Sequence, residues 1–211
     1  MTYDYLYKLI LVGDCDVGKT ALCQRWNNNK FTEDYTATIG IDFNVAQVII
    51  KGGDKIKCQL WDTAGQETFE SIIQSYYRNV SGAILVFDIT NKESFERLSY
   101  WLQEIKKNKQ REMDVPKIIL GNKLDNEDKR QVSKEEANAF ARRNDAIYIE
   151  TSAKDNVNLR EALEKICEKI YHEMVMNDYS HGISKVSNKK INENDSFDDV
   201  FDNLFSCCKI N

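Results

Sequence analysis

The sequence predicts an α/β domain: a mostly parallel sheet of six strands with helices on both faces. Three observations carry this reading. Short apolar runs alternate with longer stretches of helical periodicity over residues 5–176. The later short runs are nearly continuous in Val, Ile, Leu and Tyr, as in strands covered on both faces. Between the first apolar run and a helix-like segment stands Gly13-Asp14-Cys15-Asp16-Val17-Gly18-Lys19-Thr20, the setting of a phosphate-binding loop.

Taken in order, residues 5–12 are the first strand, and the loop follows it. Its glycines let the backbone turn tightly, so that N–H groups from Asp16, Val17 and Gly18 through Ala21 converge on phosphate oxygens. Lys19 adds a positive charge for the β- and γ-phosphates, and the Thr20 hydroxyl is placed for Mg²⁺. A helix over 21–27 comes next. Residues 43–50 and 56–62 are two strands joined at Gly52-Gly53-Asp54, a hairpin that makes the one antiparallel edge. Strands at 83–89, 117–121 and 147–150 complete the sheet. Phe95, Leu98, Leu102 and Ile105 mark one intervening helix. Ser133 with Glu136 forms a capping box ahead of Ala137, Phe140 and Ala141, and Leu159, Leu163, Ile166 and Ile170 mark a last long helix. Beyond it the periodicity stops, and residues 177–211 read as a flexible tail.

Composition narrows the function. The 211 residues suit one domain plus a tail, and a hydrophobic share of 42% suffices for a core. The net charge of -5 gives no nucleic-acid surface. Cysteines stand at 15, 23, 58, 167, 207 and 208, with only His172 and His181 to help them, so no zinc-binding spacing exists. Scattered thiols in a phosphate-binding chain indicate a reducing, cytosolic setting. Residues 1–12 do not read as a signal peptide, and the longest apolar run, 83–87, is far too short to span a bilayer. Membrane association would therefore come through an attached lipid or a partner.

Three further motifs fall at strand ends, where ligands of such sheets bind. In Asp62-Thr63-Ala64-Gly65-Gln66-Glu67, Asp62 can hold Mg²⁺ through water and Gly65 can bring a backbone N–H to the γ-phosphate. Gln66 carries an amide suited to orienting an attacking water. Taken alone, this stretch is equally an ordinary acidic turn. In Asn122-Lys123-Leu124-Asp125, the Asp125 carboxylate can accept from guanine N1–H and the 2-amino group, a donor pair that adenine lacks. Asn122 can tie this loop to the phosphate loop while the Lys123 stem packs on the base. Thr151-Ser152-Ala153-Lys154 supplies a tight turn whose Ala153 N–H can reach guanine O6. Alone, each is a common polar loop.

Together, in this order, the motifs resemble the Ras superfamily of small GTPases over residues 5 to about 176. Within it the chain is similar to the Rab family, through Thr38-Ile39-Gly40-Ile41-Asp42-Phe43, Trp61-Asp62-Thr63-Ala64-Gly65-Gln66-Glu67, Ser75-Tyr76-Tyr77-Arg78 and Phe87-Asp88-Ile89-Thr90. The resemblance implies a small-GTPase fold that cycles between GTP and GDP with Mg²⁺ and regulates vesicle traffic. It implies that Thr38 offers Mg²⁺ a second hydroxyl and the γ-phosphate its N–H, and that Phe31 lies edge-on to the guanine. It places the effector surface at Ile41, Phe43, Trp61 and Tyr76. It also implies an exchange factor, a GTPase-activating protein, effectors, a prenylation escort and a GDP-dissociation inhibitor. The vicinal pair Cys207 and Cys208 looks like the family's signal for two geranylgeranyl groups, enough for stable anchoring. The expected location is the cytoplasmic face of intracellular membranes, with a cytosolic pool of monomer.

Departures from the family pattern matter. Cys15 and Asp16 stand where relatives usually have Ser or Gly, and a carboxylate beside phosphates is awkward unless it points outward. Those two residues motivate the rival reading, a module that holds nucleotide and scarcely hydrolyses it. A nucleoside kinase is a further rival, opposed by Asp125 and the 151–154 turn. In the tail, Phe197, Val200, Phe201, Leu204 and Phe205 form a helical stripe, with Ser196 as N-cap and Asp198 and Asp199 in the first turn. So short a helix folds only against something, and its acidic side chains disfavour an anionic membrane. A protein groove is the expected partner, and the resemblance suggests the prenylation escort.

Overall fold

The computed structural model describes residues 3–32, 41–63, 77, 79–108 and 114–176. Six strands, β1 (Tyr5–Val12), β2 (Ile41–Ile49), β3 (Lys55–Thr63), β4 (Gly82–Asp88), β5 (Lys117–Asn122) and β6 (Ala146–Glu150), form one sheet. Their spatial order is β2-β3-β1-β4-β5-β6. All pairs are parallel except β2 with β3. The hairpin turn works as its glycines demand: Gly52 and Gly53 take φ of 121° and 91°, and Gly53 donates to Ile50 O at 3.0 Å.

Among the described residues the helices are α1 (Lys19–Asn28), α2 (Lys92–Glu96), α3 (Leu98–Asn108), α4 (Lys134–Arg143) and α5 (Leu159–Met176), with a 3-10 segment at Leu124–Lys129. β1 shows why the central strands lack polar alternation. Tyr7, Leu9 and Leu11 enter one core with Leu22, Ile84, Val86, Leu120, Leu163 and Ile166. Ile10 and Val12 enter the other, with Leu85, Phe87, Phe95, Trp101 and Ile119. Each fully buried aliphatic side chain contributes about 1.5–3 kcal/mol, so both helical layers are held by the same short strand.

Two expectations need correction. The helix read from Phe95 to Ile105 is two, meeting at Arg97, although Arg97 N still bonds Glu93 O and Trp101 N bonds Arg97 O. Asn91 caps the first by accepting from Ser94 N. The second buries Leu98, Trp101 and Ile105, while Leu102 is only half-buried. The indole of Trp101 turns inward because it has a polar partner there, described below. The capping box is half made. Ser133 Oγ accepts from Glu136 N at 3.1 Å, but the Glu136 carboxylate lies 2.5 Å from Lys92 Nζ.

Candidate functional site

Every described motif reaches the C-terminal edge of the sheet because a strand ends just before it. After Val12 the loop turns at Gly13, where an added Cβ would stand 2.2 Å from Val86 O on β4. At Gly18, with φ of 93°, it would stand 2.4 Å from Asn122 Nδ2. Only glycine fits either approach. Gly18 is also the N-cap of α1 with no side-chain cap, and the first turn holds no acid. The leading N–H groups of α1 thus form a site suited to an anion.

Lys19 lies across this loop, its ammonium donating to Gly13 O at 2.8 Å and Asp14 O at 2.7 Å. Burial pushes its pKa down, against the pull of Asp62, Cys15 and Asp14. The Thr20 hydroxyl donates to Asp62 Oδ2 at 2.5 Å, and Asp62 is fully buried. A hydroxyl and a carboxylate oxygen this close are the hard donors Mg²⁺ takes, so the two residues fit that ion. Asp16 adopts φ of 63° and points outward, its side chain 75% exposed and 3.6 Å from Lys123 Nζ. Val17 is buried, and Ala21 packs against the core from the first turn of α1.

The base-loop residues gather beside the phosphate loop. Asn122 Nδ2 donates to Val17 O at 2.9 Å, a buried tie between two motifs 105 residues apart. Its Oδ1 accepts from Thr151 Oγ1 and Ala153 N, each at 3.3 Å. The Ala153 N–H, expected at guanine O6, is here directed at Asn122 Oδ1. Lys123 takes φ of 66°, and its ammonium sits 2.9 Å from Asp88. Ser152 Oγ donates to Asp125 Oδ1 at 2.6 Å and accepts from Asp155 N at 2.9 Å, so the Asp125 carboxylate is aimed by a short relay. Phe31 is half-buried beneath Arg25, whose guanidinium carbon lies 5.5 Å from the ring centre.

Three contributors escape sequence reasoning. Arg25 ties α1 to the base loop through Ala153 O and Lys154 O, each at 2.7 Å. Asp14 Oδ1 accepts from Arg97 Nε and Trp101 Nε1, both at 2.9 Å, which fixes the phosphate loop to α3 and the residue before it. Asp88 holds Lys123, and its Oδ1 also accepts from Thr90. Except for Asp88 with Thr90, each pair lies far apart in sequence, and no local pattern marks it.

On the other side, Phe43 and Trp61 are register partners in β2 and β3, with ring centres 5.5 Å apart, edge to face. Phe43 is an exposed aromatic rather than core, and Ile41 opens β2 opposite Thr63. Thr38, Gly65, Gln66, Tyr76, Cys207, Cys208 and the segment 196–205 lie outside the described residues. Among the described residues no group of three or more His, Cys, Asp or Glu could hold a metal, and no helix is long and apolar enough to cross a membrane.

Comparison with known proteins agrees with this geometry. The model of the Ras family matches residues 8–172. The chain is 47% identical over 168 residues to Ras-related protein Rab-13 of Bos taurus, covering 80% of this chain and 81% of that one. It is 44% identical to Ras-related protein Rab-8B of Homo sapiens over 197 residues, 92% and 93% of the two chains. To Ras-related protein Rab-8 of Diplobatis ommata it is 42% identical over 205 residues, 97% and 90%. The chain belongs to the Ras family of small GTPases and, within it, to the Rab proteins.

Proposed function

We propose that this Rab protein performs its GTP hydrolysis and its switching through the residues gathered here. A Rab GTPase binds guanine nucleotide, hydrolyses GTP and serves vesicle traffic. The observation that carries the site assignment is the Asn122–Val17 bond, which joins the base loop to the phosphate loop as one surface. On that surface Asp125 selects guanine, Lys19 and the N–H groups from Asp16 to Ala21 hold phosphates, and Thr20 and Asp62 hold Mg²⁺. When bound, Mg²⁺ supplies positive charge against the phosphate oxygens. Thr38 and Gly65 anchor the two switch segments to the γ-phosphate, and Gln66 orients the attacking water. Loss of the γ-phosphate releases both segments.

Regulators and effectors act on this chain as on other Rab proteins. The finer reading gives it an exchange factor, a GTPase-activating protein, a prenylation escort and a GDP-dissociation inhibitor, with effectors meeting Ile41, Phe43, Trp61 and Tyr76. Lipids on Cys207 and Cys208 then hold it on the cytoplasmic face of an intracellular membrane. The test is a single-turnover GTP assay with and without an activating protein, alongside competition by ATP. Cleavage of GTP that ATP does not inhibit, abolished by Gln66→Leu, supports the reading. Stoichiometric GTP binding without cleavage under either condition supports the nucleotide-holding module instead, the reading motivated by Cys15 and Asp16, both exposed.

A further inference from the structure

The β2–β3 hairpin turns one face outward, and that face is both apolar and cationic. Strand alternation buries Asn44, Ala46 and Val48 and directs Phe43, Val45, Gln47 and Ile49 the other way. The register sets these opposite Trp61, Gln59, Lys57 and Lys55, and β1 adds Leu6 and Lys8 beside Lys57 and Gln59. Lys8 and Gln59 are buried, so the exposed charge of this face is that of Lys55 and Lys57. Phe43 is 47% exposed and Ile49 56%, two of the three large exposed apolar side chains among the described residues. Val45, Trp61 and Leu6 are half-buried beside them. Lys8 lies 4.5 Å over the Trp61 ring, and Lys57 5.3 Å over that of Tyr3. Asp4 accepts at Oδ2 from the Lys55 backbone N–H at 2.8 Å.

The tail carries the complementary pattern. Phe197, Val200, Phe201, Leu204 and Phe205 recur at helical spacing, and Asp198, Asp199 and Asp202 stand among them. We propose that residues 196–205 dock as a short helix on the outward face of the chain's own β2–β3 hairpin. The five apolar side chains meet Phe43, Val45, Ile49 and Trp61, and the aspartates meet Lys55 and Lys57.

Reach and concentration favour contact in cis. Tyr171 on α5 packs edge-on against Tyr5, with ring centres 5.6 Å apart, and Tyr5 is the register partner of Ile56. The last helix thus ends by the turn end of the hairpin, close to Ile49 and Lys55. About twenty residues, 177–195, separate it from the segment. α5 packs on the face that carries Tyr5, Tyr7 and Val48, so the tail passes round the β2 edge to reach the other face. As a coil the connecting residues span roughly 25 Å, against about 20 Å for the two layer spacings on either side of the sheet. A tether of this kind gives an effective concentration of about a millimolar. Even a weak helix-to-face contact is then populated, though the same segment would bind poorly in trans.

Hydrogen exchange on the full chain tests this. Amides of residues 43–61 should exchange about 2- to 10-fold more slowly in the wild type than in Phe201→Ser/Phe205→Ser. The difference should be the same at 1 µM and at 50 µM. Lys55→Glu/Lys57→Glu should show the faster exchange of the tail variant. Equal exchange in wild type and tail variant overturns the proposal. So does a difference that grows with concentration, which would mark a second copy as the occupant. Loss of prenylation at Cys207 and Cys208 with unchanged exchange would make the segment a handle for the escort and overturns it too. Nucleotide release, measured in parallel and unchanged in both variants, reports separately on the nucleotide site.

Discussion

Truncating Asn122 to alanine should cost the protein its grip on nucleotide far more than its fold. The side chain makes one good buried bond, to Val17 O at 2.9 Å, and two long ones, to Thr151 and Ala153 at 3.3 Å. Thr151 is fully buried, so its hydroxyl gains no water when Asn122 is cut back. One well-made buried bond lost with its partner stranded costs about 1–3 kcal/mol, and the long pair adds less. A total of about 2–4 kcal/mol follows, and it falls on the relative position of the two loops. If that position is what nucleotide requires, GDP affinity should drop by about 30-fold or more. Asn122→Asp should be worse, because it sets a carboxylate oxygen against the Val17 carbonyl in a dry site. The assay is displacement of a fluorescent GDP analogue, with circular dichroism to verify the fold. Alanine binding GDP within 3-fold of wild type, in a folded protein, would refute the claim that this tie assembles the site.

Further outcomes follow from the same geometry. Asp125→Asn replaces one acceptor with a donor, so GTP affinity should fall about 10- to 100-fold while xanthosine triphosphate gains; unchanged GTP affinity would end the guanine assignment. Gln66→Leu should bind GTP normally and fail to cleave it, read by phosphate release in a single turnover. Arg97→Ala removes one of two donors from Asp14 and should weaken GDP binding about 2- to 10-fold, with Trp101 keeping the rest. For pH dependence, burial pushes the Glu150 carboxyl up, but paired bonds from Arg130 at 2.8 and 3.2 Å and one from Tyr148 outweigh it and hold it below its ordinary value. A lowered carboxyl stabilises the fold above the ordinary carboxylate range, and that stability is lost as pH falls through the folded value. Glu150→Gln should therefore be less stable at pH 7, by about 1–3 kcal/mol, and approach wild type in denaturant melts as pH falls through the lowered folded value of Glu150.

What the sequence made legible divides along a physical line. Loop 13–20 carries its own local pattern, whereas 122–125 is a common polar loop that gains meaning only in order with it and beside Val17. The strands were legible too, since β1, β4 and β5 bury both faces and leave no polar interruption. Contacts that depend on the fold were not. Nothing in the local sequence says that Arg97 and Trp101 reach back to Asp14, or that Arg25 reaches forward to Ala153. The same blindness explains Leu102. Helical spacing admits either 101 or 102 to the buried face, and the carboxylate waiting for the Trp101 N–H decides between them. Glu136 was misread for a like reason, since Lys92, on another helix, offers its carboxylate an ammonium in place of a backbone donor.

The bracing also bears on why a carboxylate at position 16 is compatible with a phosphate loop. The loop is fixed along its length: Gly13 against Val86 O, Asp14 by Arg97 and Trp101, and Val17 by Asn122. Its acidic side chains are turned to basic neighbours outside the anion site, Asp14 to Arg97 and Asp16 to Lys123. An exposed pair at 3.6 Å contributes at most about 1 kcal/mol and is screened by salt. The inward face of the loop is left to Lys19 and the N–H groups at the start of α1, which favour an anion. Asp62 differs, being fully buried behind Thr20, and its charge acts on Lys19. A divalent cation there would compensate a carboxylate that water cannot reach. Chelating Mg²⁺ should consequently speed nucleotide release, and Asp62→Asn should blunt that response while leaving the outward Asp16–Lys123 pair intact. Release rates that ignore chelation in the wild type would remove Thr20 and Asp62 from the metal site.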